Sequence, residues 1–495
     1  MTTSKPRLGR RPFLIGGATG LIGSATGLIG SAAGLASFAA FPTFANERQN
    51  FANDRQDFFG EWGGVLDVGA TKLRLKLVIG PDTATLYSLD QGNAEIPADQ
   101  IEISGADITL TFPSISARFD GTRSGTDGQV IEGTFTQGRA FPLVLTKGEI
   151  PAAREFAPLT EERLKALRAE IGAPALIAAA RGTRALTLVD GVRALGRDEQ
   201  ATPSDQWHIG SITKSMTATL VARLVEQGVI TWSTTVGDVL GKAVPDINNA
   251  YTDCNFLHLL SHRAGLQANI PQMSFALFPF QEDDARASRL RWSTIALAQE
   301  PAGPKEDTFL YANNGYVIAG TMLEVLTGER WEDLMVREVF QPLGMTGAGF
   351  GPPGSEGAFD QPVGHRTGFD GKMNAHPPGT SIADNPTAIG PAGIVHARAD
   401  DMLAYLNAHR ERTDYLSQAS WKTLHTPPFG GDYACGWVIR PDGLWHNGTN
   451  TFWYAEALFS QETGSEAFAA ANDGRLASVA PGVGAALKEV SLAVQ

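Results

Sequence analysis

Ser211 and Lys214 stand three residues apart in the stretch WHIGSITKSM, and this pair could carry out nucleophilic catalysis. A serine hydroxyl is a poor nucleophile at neutral pH and needs a neighbouring base. Residues i and i+3 share one face of a helix, so the amine of Lys214 would lie within reach of the Ser211 hydroxyl. The alternative is an ordinary helix start, in which Ser211 caps the helix and Lys214 lies in solvent.

Two further short motifs follow in the order that a serine–lysine hydrolase requires. Tyr-x-Asn occurs at 311–313, just before an apolar helix that Gly328 is predicted to end, and His-x-Gly occurs at 446–448 on a predicted strand. A second Tyr-x-Asn, at 405–407, lies inside an amphipathic helix and is interpreted as structural. The pattern Gly-x-Ser-x-Gly of another hydrolase class does not occur in the chain.

With these motifs in order, the region from about Thr160 to the C-terminus resembles the serine β-lactamase and penicillin-recognising family. It is most similar to the class C branch, which includes D-Ala-D-Ala carboxypeptidases and esterases, and the similarity extends over LHLLSHRAGL, YANNGYVIAG and PAGIVHARADDMLAYL. The resemblance implies an α+β domain with an antiparallel sheet flanked by helices and a helical subdomain. It also implies a serine hydrolase that forms an acyl-enzyme with an ester, an amide or a D-amino-acid peptide.

The resemblance further implies a role for each motif residue. Ser211 would be the nucleophile, Lys214 would accept its proton, and Tyr311 would pass that proton to the leaving group. The oxyanion hole would consist of the backbone N–H groups of Ser211 and Thr449. The remaining motif residues would bind or orient the substrate: Asn313, His446, Asn447 and Gly448.

His446 stands where most class C β-lactamases have a lysine. The pKa of a histidine is ordinarily near 6.5, so at neutral pH the side chain is largely uncharged, whereas lysine provides a fixed positive charge for a substrate carboxylate. This replacement favours a peptidase or esterase, although Arg366 or Arg398 could still hold a carboxylate. A true β-lactamase, and a non-catalytic protein that binds penicillin or cell-wall peptide, are the alternatives.

The elements that must position these residues follow from length and periodicity. With 495 residues, two or more units are expected. Period-two alternation, as in KLRLKLVI and DITLTF, predicts a β-rich accessory domain over 50–148, a small antiparallel barrel or sandwich. A linker is predicted over 149–159. Strands at both ends of 160–495, with helices between them, predict one sheet closed by its two termini, with mostly loop between Gly344 and Pro391.

The N-terminal residues 1–45 are predicted to be a signal peptide of the twin-arginine type. Arg10 and Arg11 precede a glycine- and alanine-rich apolar stretch with small residues near its end. Its removal would leave no stable membrane span and would place the protein in the periplasm or outside the cell. A retained transmembrane anchor is the alternative.

Charge and residue counts limit the partners. The net charge of −13 argues against nucleic acid, so a small-molecule or peptide substrate is expected, with the oligomeric state left open. No cofactor and no metal are expected, since the nine histidines show no metal-ligand spacing. His258 and His262, one helical turn apart, are interpreted as structural. Cys254 and Cys435 are taken as core residues whose pairing is left open.

Overall fold

The chain is described here from a computed structural model, which covers residues 55–68, 72–89, 94–125, 128–152, 155–380 and 382–495. It divides into two compact units, one N-terminal to Glu155 and one from Glu155 to Gln495. The predicted signal peptide over 1–45 lies outside the described residues. In the part of the chain that is described, no helix is long and apolar enough to cross a membrane.

The described residues of the N-terminal unit form nine strands. They are β1 (Gly60–Asp67), β2 (Lys72–Ile79), β3 (Ala84–Ser88), β4 (Ala94–Pro97), β5 (Gln100–Ser104), β6 (Asp107–Phe112), β7 (Ala117–Ser124), β8 (Val130–Gln137) and β9 (Arg139–Lys147). All belong to one antiparallel sheet, in the order β4-β3-β2-β1-β9-β8-β7-β6-β5. Because only Ala98 and Asp99 join the two edge strands, the sheet curls back on itself.

The alternating pattern explains the core of this curled sheet. Leu73, Leu75 and Leu77 of β2 are buried, whereas Lys72 is exposed. Successive side chains of a strand point to opposite faces, so one face of the curled sheet collects the apolar residues. The β-rich accessory domain is thereby confirmed, with the single curled sheet of a barrel and not the two sheets of a sandwich.

The C-terminal unit begins with a helix and a hairpin and continues through mostly helical chain. Its first elements are α1 (Glu161–Ile171), β10 (Ala175–Arg181), β11 (Ala185–Gly191), β12 (Gln206–His208), α2 (Thr213–Glu226), α3 (Val236–Leu240), α4 (Phe256–Leu260), α5 (Arg286–Leu297), α6 (Asn313–Thr327) and α7 (Trp331–Met335). The later elements are β13 (Gly349–Phe350), β14 (Gly364–Thr367), β15 (Met373–His376), α8 (Gly390–Gly393), β16 (Val395–Arg398), α9 (Ala399–Glu411), α10 (Gln418–His425), β17 (Val438–Arg440), β18 (Gly443–Thr449), β19 (Tyr454–Ser460), β20 (Ser465–Ala471) and α11 (Leu476–Leu492).

The main sheet of this unit has six strands in the order β11-β10-β20-β19-β18-β17. Strand β10, from the start of the unit, pairs antiparallel with β20, from its end. The predicted closure of the sheet by the two termini is therefore confirmed. One face packs against α1 and α11, and the other packs against the core that includes α2 and α9.

Helices α5, α6 and α7 are tied together by a buried arginine. Arg289 of α5 is fully buried and forms ion pairs with Glu324 of α6 and with Glu332 of α7, at 2.5 Å for the second. Burying the charges of Arg289 and Glu324, with Glu332 partly buried, is tolerated only when each is paired and hydrogen-bonded. Because Asn313 begins α6, this cluster holds the helix that carries one of the motif residues.

Arg289→Met is expected to lower the free energy of unfolding by about 3–5 kcal/mol, because it leaves the buried carboxylate of Glu324 and the partly buried one of Glu332 beside an apolar side chain. Urea denaturation followed by tryptophan fluorescence measures this loss. Arg286→Met on the same helix is the control, since its pair with Asp284 is exposed and its removal should change little. Equal losses in the two variants would contradict the assigned role of Arg289.

Candidate active site

Ser211 lies in a tight turn between β12 and α2. The turn is a single 3-10 segment, Gly210–Ile212, and α2 continues from Thr213. Gly210 has a φ of +51°, and a Cβ at this residue would lie 2.4 Å from the backbone nitrogen of Thr449. Glycine is therefore needed here for both its backbone conformation and its lack of a side chain. The turn therefore places the backbone beside Ser211 in close contact with the end of β18.

Lys214 is buried and is held by hydrogen bonds in three directions. Its Nζ lies 2.9 Å from Ser211 Oγ, 2.7 Å from Asn313 Oδ1 and 2.7 Å from the carbonyl oxygen of Ala392. The last two atoms can only accept, so they take two N–H groups of the amine. In the neutral amine, the lone pair then faces the Ser211 hydroxyl.

Burial also favours that neutral form. The Lys214 side chain is fully enclosed, and burial lowers its pKa well below the ordinary value of a lysine. A lysine with a depressed pKa accepts a proton at neutral pH, which an exposed lysine does not. The arrangement thus has the geometry and the electrostatics of a serine–base pair.

Tyr311 lies on the other side of the same pair. The Nζ of Lys214 is 4.8 Å from the centre of the Tyr311 ring. Burial raises the pKa of Tyr311 well above that of free tyrosine, and a hydrogen bond with Ser211 offsets part of this rise. The phenol is therefore protonated at neutral pH, and a protonated phenol beside a lysine of lowered pKa has the chemistry of a proton donor beside a base.

Two residues that the motifs did not predict complete this side of the site. Asn269 accepts a hydrogen bond from Nδ2 of Asn313 at 2.8 Å and so fixes the amide whose oxygen binds Lys214. His262 accepts the backbone N–H of Ala312 through Nδ1 at 3.0 Å, and its ring packs 4.3 Å from that of Tyr311. In the sequence, the spacing of His262 to His258 indicates only a structural role, and no motif includes Asn269.

His446 on β18 is buried and uncharged. Its Nδ1 donates to the carbonyl oxygen of Asn447 at 2.6 Å, so Nε2 accepts from the hydroxyl of Tyr433 at 3.0 Å. Burial lowers the pKa of His446 to about 3. Tyr433, also missed from sequence, comes from the loop before β17. The third motif therefore supplies no fixed positive charge.

Asn447, Gly448 and Thr449 are the last three residues of β18. A Cβ on Gly448 would lie 2.0 Å from the oxygen of Ile209 and 2.5 Å from the nitrogen of Ser211, so only glycine permits this approach. The backbone amides of Ser211 and Thr449 consequently lie close to each other. Asn447 points away, and its Nδ2 donates to the hydroxyl of Tyr454 at 3.2 Å.

The remaining candidates have structural partners. His258 accepts the N–H of Asn255, and the two residues together cap the N-terminus of α4. The Tyr405 hydroxyl donates to that of Ser215 inside the core. Arg366 lies over the ring of Phe452, and Arg398 packs against Gly347. The two cysteines are both buried and unpaired. Among the described residues, no group of three or more His, Cys, Asp or Glu side chains could hold a metal ion.

Known sequences match most of the C-terminal unit. The sequence profile of the Beta-lactamase family matches residues 160–481. Penicillin-binding protein 4 of Amycolatopsis lactamdurans is 31% identical over 252 residues, which cover 50% of this chain and 62% of that protein. The matched region therefore spans less than two thirds of that relative.

Comparison with solved structures gives the same fold at low identity. D-stereospecific amidohydrolase from a Streptomyces species aligns with a TM-score of 0.52 and 19% identity, over 66% of this chain and 98% of that one. D-amino acid amidase from Ochrobactrum anthropi SV3, solved with L-phenylalanine amide, aligns with a TM-score of 0.54 and 19% identity, over 67% of this chain and 96% of that one.

Proposed function

The chain belongs to the β-lactamase family, and on that premise we propose that it is a serine hydrolase that forms an acyl-enzyme at Ser211. One observation carries the proposal: Lys214 Nζ lies 2.9 Å from Ser211 Oγ, while the other polar neighbours of Nζ are acceptors only. A solvent-exposed lysine after a capping serine, the ordinary helix start, would not be enclosed in this way.

The proposed reaction has two halves. In the first, Ser211 Oγ attacks the carbonyl carbon as its proton passes to Lys214 Nζ, and the oxyanion is held by the amides of Ser211 and Thr449. Tyr311 donates its proton to the leaving group as the bond to that group breaks, and is reprotonated from Lys214. In the second half, water cleaves the acyl ester by the same proton transfers in reverse and regenerates the Ser211 hydroxyl.

The charges of the site favour substrates without a carboxylate next to the scissile bond. Burial favours the neutral form of Lys214 and lowers the pKa of His446 to about 3. In the described part of the chain, no arginine side chain hydrogen-bonds to Tyr311, Asn313 or His446. A carboxylate bound beside these residues would lose its water without gaining a cationic partner from them, which is costly. Esters and amides of amino acids fit better, as the names of the two amidohydrolases suggest for those proteins.

A matched pair of peptides tests this substrate class. A peptide ending in D-Ala-D-Ala amide is expected to be cleaved at least about 10-fold faster, in kcat/KM, than the same peptide with a free C-terminal carboxylate. Liquid chromatography of the released products measures both rates. A preference for the free carboxylate would contradict the neutral site and would favour the carboxypeptidase alternative.

A penicillin, which carries a carboxylate, is accordingly expected to acylate Ser211 slowly and to be turned over slowly. The class C character, the twin-arginine export and the periplasmic or secreted location remain part of the proposal. A non-catalytic protein that only binds penicillin or cell-wall peptide is the second candidate, and the relative named for penicillin binding favours its consideration. Turnover of any ester or amide decides between the two.

A further inference from the structure

His208 stands just before the nucleophile turn, and both of its ring nitrogens are engaged. The N–H of Gly210 donates to His208 Nδ1 at 3.1 Å, and His208 Nε2 lies 2.9 Å from Asp384 Oδ2. Because Nδ1 accepts, the proton of the neutral ring lies on Nε2 and is donated to the carboxylate. The side chains of His208 and Asp384 are 0% and 6% exposed, so the pair is shielded from water.

Asp384 continues this series of hydrogen bonds to the turn after β18. Its Oδ1 accepts from Asn450 Nδ2 at 2.7 Å. Asn450 is buried, and its Oδ1 accepts the backbone N–H groups of Phe452 and Trp453 at 3.2 and 3.1 Å. Asn450 therefore fixes the turn between β18 and β19 and is itself held by Asp384.

We call His208, Asp384 and Asn450 the buried bridge. Each end of the bridge lies next to one amide of the proposed oxyanion hole. His208 accepts the N–H of Gly210, the residue before Ser211, and Asn450 is the residue after Thr449. Such amides stabilise a developing oxyanion only when they are aimed at it before the reaction begins. We propose that the buried bridge positions these two amides relative to each other. The proposal rests on the proposed function.

The partners of the bridge distinguish it from an ordinary buried histidine. His365, also buried, binds only backbone atoms, the N–H of Leu195 and the carbonyl oxygen of Asn472. The three residues of the bridge also come from separate segments of chain, but the hydrogen bonds between them join side chain to side chain. A buried polar network of this kind is sensitive to the loss of any member, because the remaining groups keep their desolvation cost without their partners.

None of the three bridge residues contacts the reacting atoms of the proposed mechanism, so each is a positioning residue. Asp384 comes from the loop-rich segment between Gly344 and Pro391, in which the sequence showed no chemical motif. A change in the bridge should therefore alter how well the transition state is held and leave initial substrate binding nearly unchanged.

The test uses the full chain and four variants. His208→Asn keeps an acceptor near the Gly210 N–H and is too short to reach Asp384, and Asn450→Ala removes the other end. The double variant combines them, and His365→Gln is the matched control. For each protein, the measurements are kcat and KM for a p-nitrophenyl ester, the rate of Ser211 labelling by a fluorophosphonate, and the affinity for an arylboronic acid.

We expect each single bridge variant to lose about 10- to 100-fold in kcat with little change in KM, as a displacement of about 1 Å does in other active sites. Boronic acid affinity should fall in parallel, because its tetrahedral adduct carries an oxygen at the oxyanion site. The double variant should lose little more than either single variant, since both break the same bridge. His365→Gln should stay within about 2-fold of the wild type.

Three results would overturn the positioning role: kcat unchanged in the bridge variants, losses that multiply in the double variant, or an equal loss in His365→Gln. Thermal unfolding of every variant identifies a variant that fails to fold, and Asp384→Asn then replaces it. If the wild type itself is not labelled at Ser211, the proposed function fails and not the bridge. The two failures are thus distinguished by the wild-type measurement.

Discussion

Ser211→Ala is expected to abolish hydrolysis of p-nitrophenyl esters, with a loss in kcat of at least about 1,000-fold. The alanine side chain has no atom that could form the acyl ester, while the turn, Lys214 and the two amides stay in place. A loss of 1,000-fold corresponds to about 4 kcal/mol of transition-state stabilisation. Purified wild type and variant are compared in the same ester assay, and intact-mass spectrometry after fluorophosphonate treatment shows whether the adduct is lost.

Ser204→Ala is the matched control for this substitution. Ser204 is an exposed serine of the same unit, and its hydroxyl lies 3.1 Å from that of Thr202. This variant should keep the full rate and the full mass shift. If Ser211→Ala kept full activity or still gained the adduct, another residue would be the nucleophile and the proposed mechanism would be wrong.

Lys214→Met is expected to lower kcat by about 1,000-fold, close to the effect of removing Ser211, because the two residues act as one unit. Methionine fills the buried space without an amine. Lys214→Arg should be nearly as inactive, since a guanidinium stays protonated and cannot accept the proton of Ser211. This second variant separates the role of a base from that of a hydrogen-bond donor.

The pH profile gives an independent test of the same residue. Burial lowers the pKa of Lys214, so the reactive neutral amine is present above that pKa and is lost as the pH falls through it. The rate of wild-type ester hydrolysis should therefore drop on the acidic side. Lys488→Met, a partly exposed lysine that pairs with Asp442, should keep both the rate and the profile. Retention of more than about a tenth of the activity by Lys214→Arg would contradict a base.

The order of the motifs made much of the C-terminal unit predictable from the sequence. Helix α2 begins just after Ser211, α6 begins at Asn313, and β18 carries the motif at 446–448, as the spacing predicts. Local patterns suffice for these elements, because apolar periodicity and glycine stops depend on neighbours along the chain. The closure of the sheet by the two termini was likewise predictable from the strands at both ends.

The environment of His446 was predictable only in part. Its residue type indicated a neutral group at pH 7, and the resemblance placed it in the substrate site. That the ring is enclosed, with a pKa lowered to about 3, and bonded to Tyr433 follows from chain segments that meet only in the folded protein. The direction of Asn447 is a similar case, since alternation along β18 turns its amide toward Tyr454.

The sequence by itself determined which residues could react and which elements carry them, because residue type and local periodicity are properties of neighbours in the chain. The tertiary structure decided the pKa values of those residues and the directions in which their side chains point. Burial of Lys214 requires Ala392 and Asn313 to pack around one amine, and the link from His208 to Asn450 requires Asp384. These contacts join residues far apart in sequence, and only folding brings them within hydrogen-bond distance.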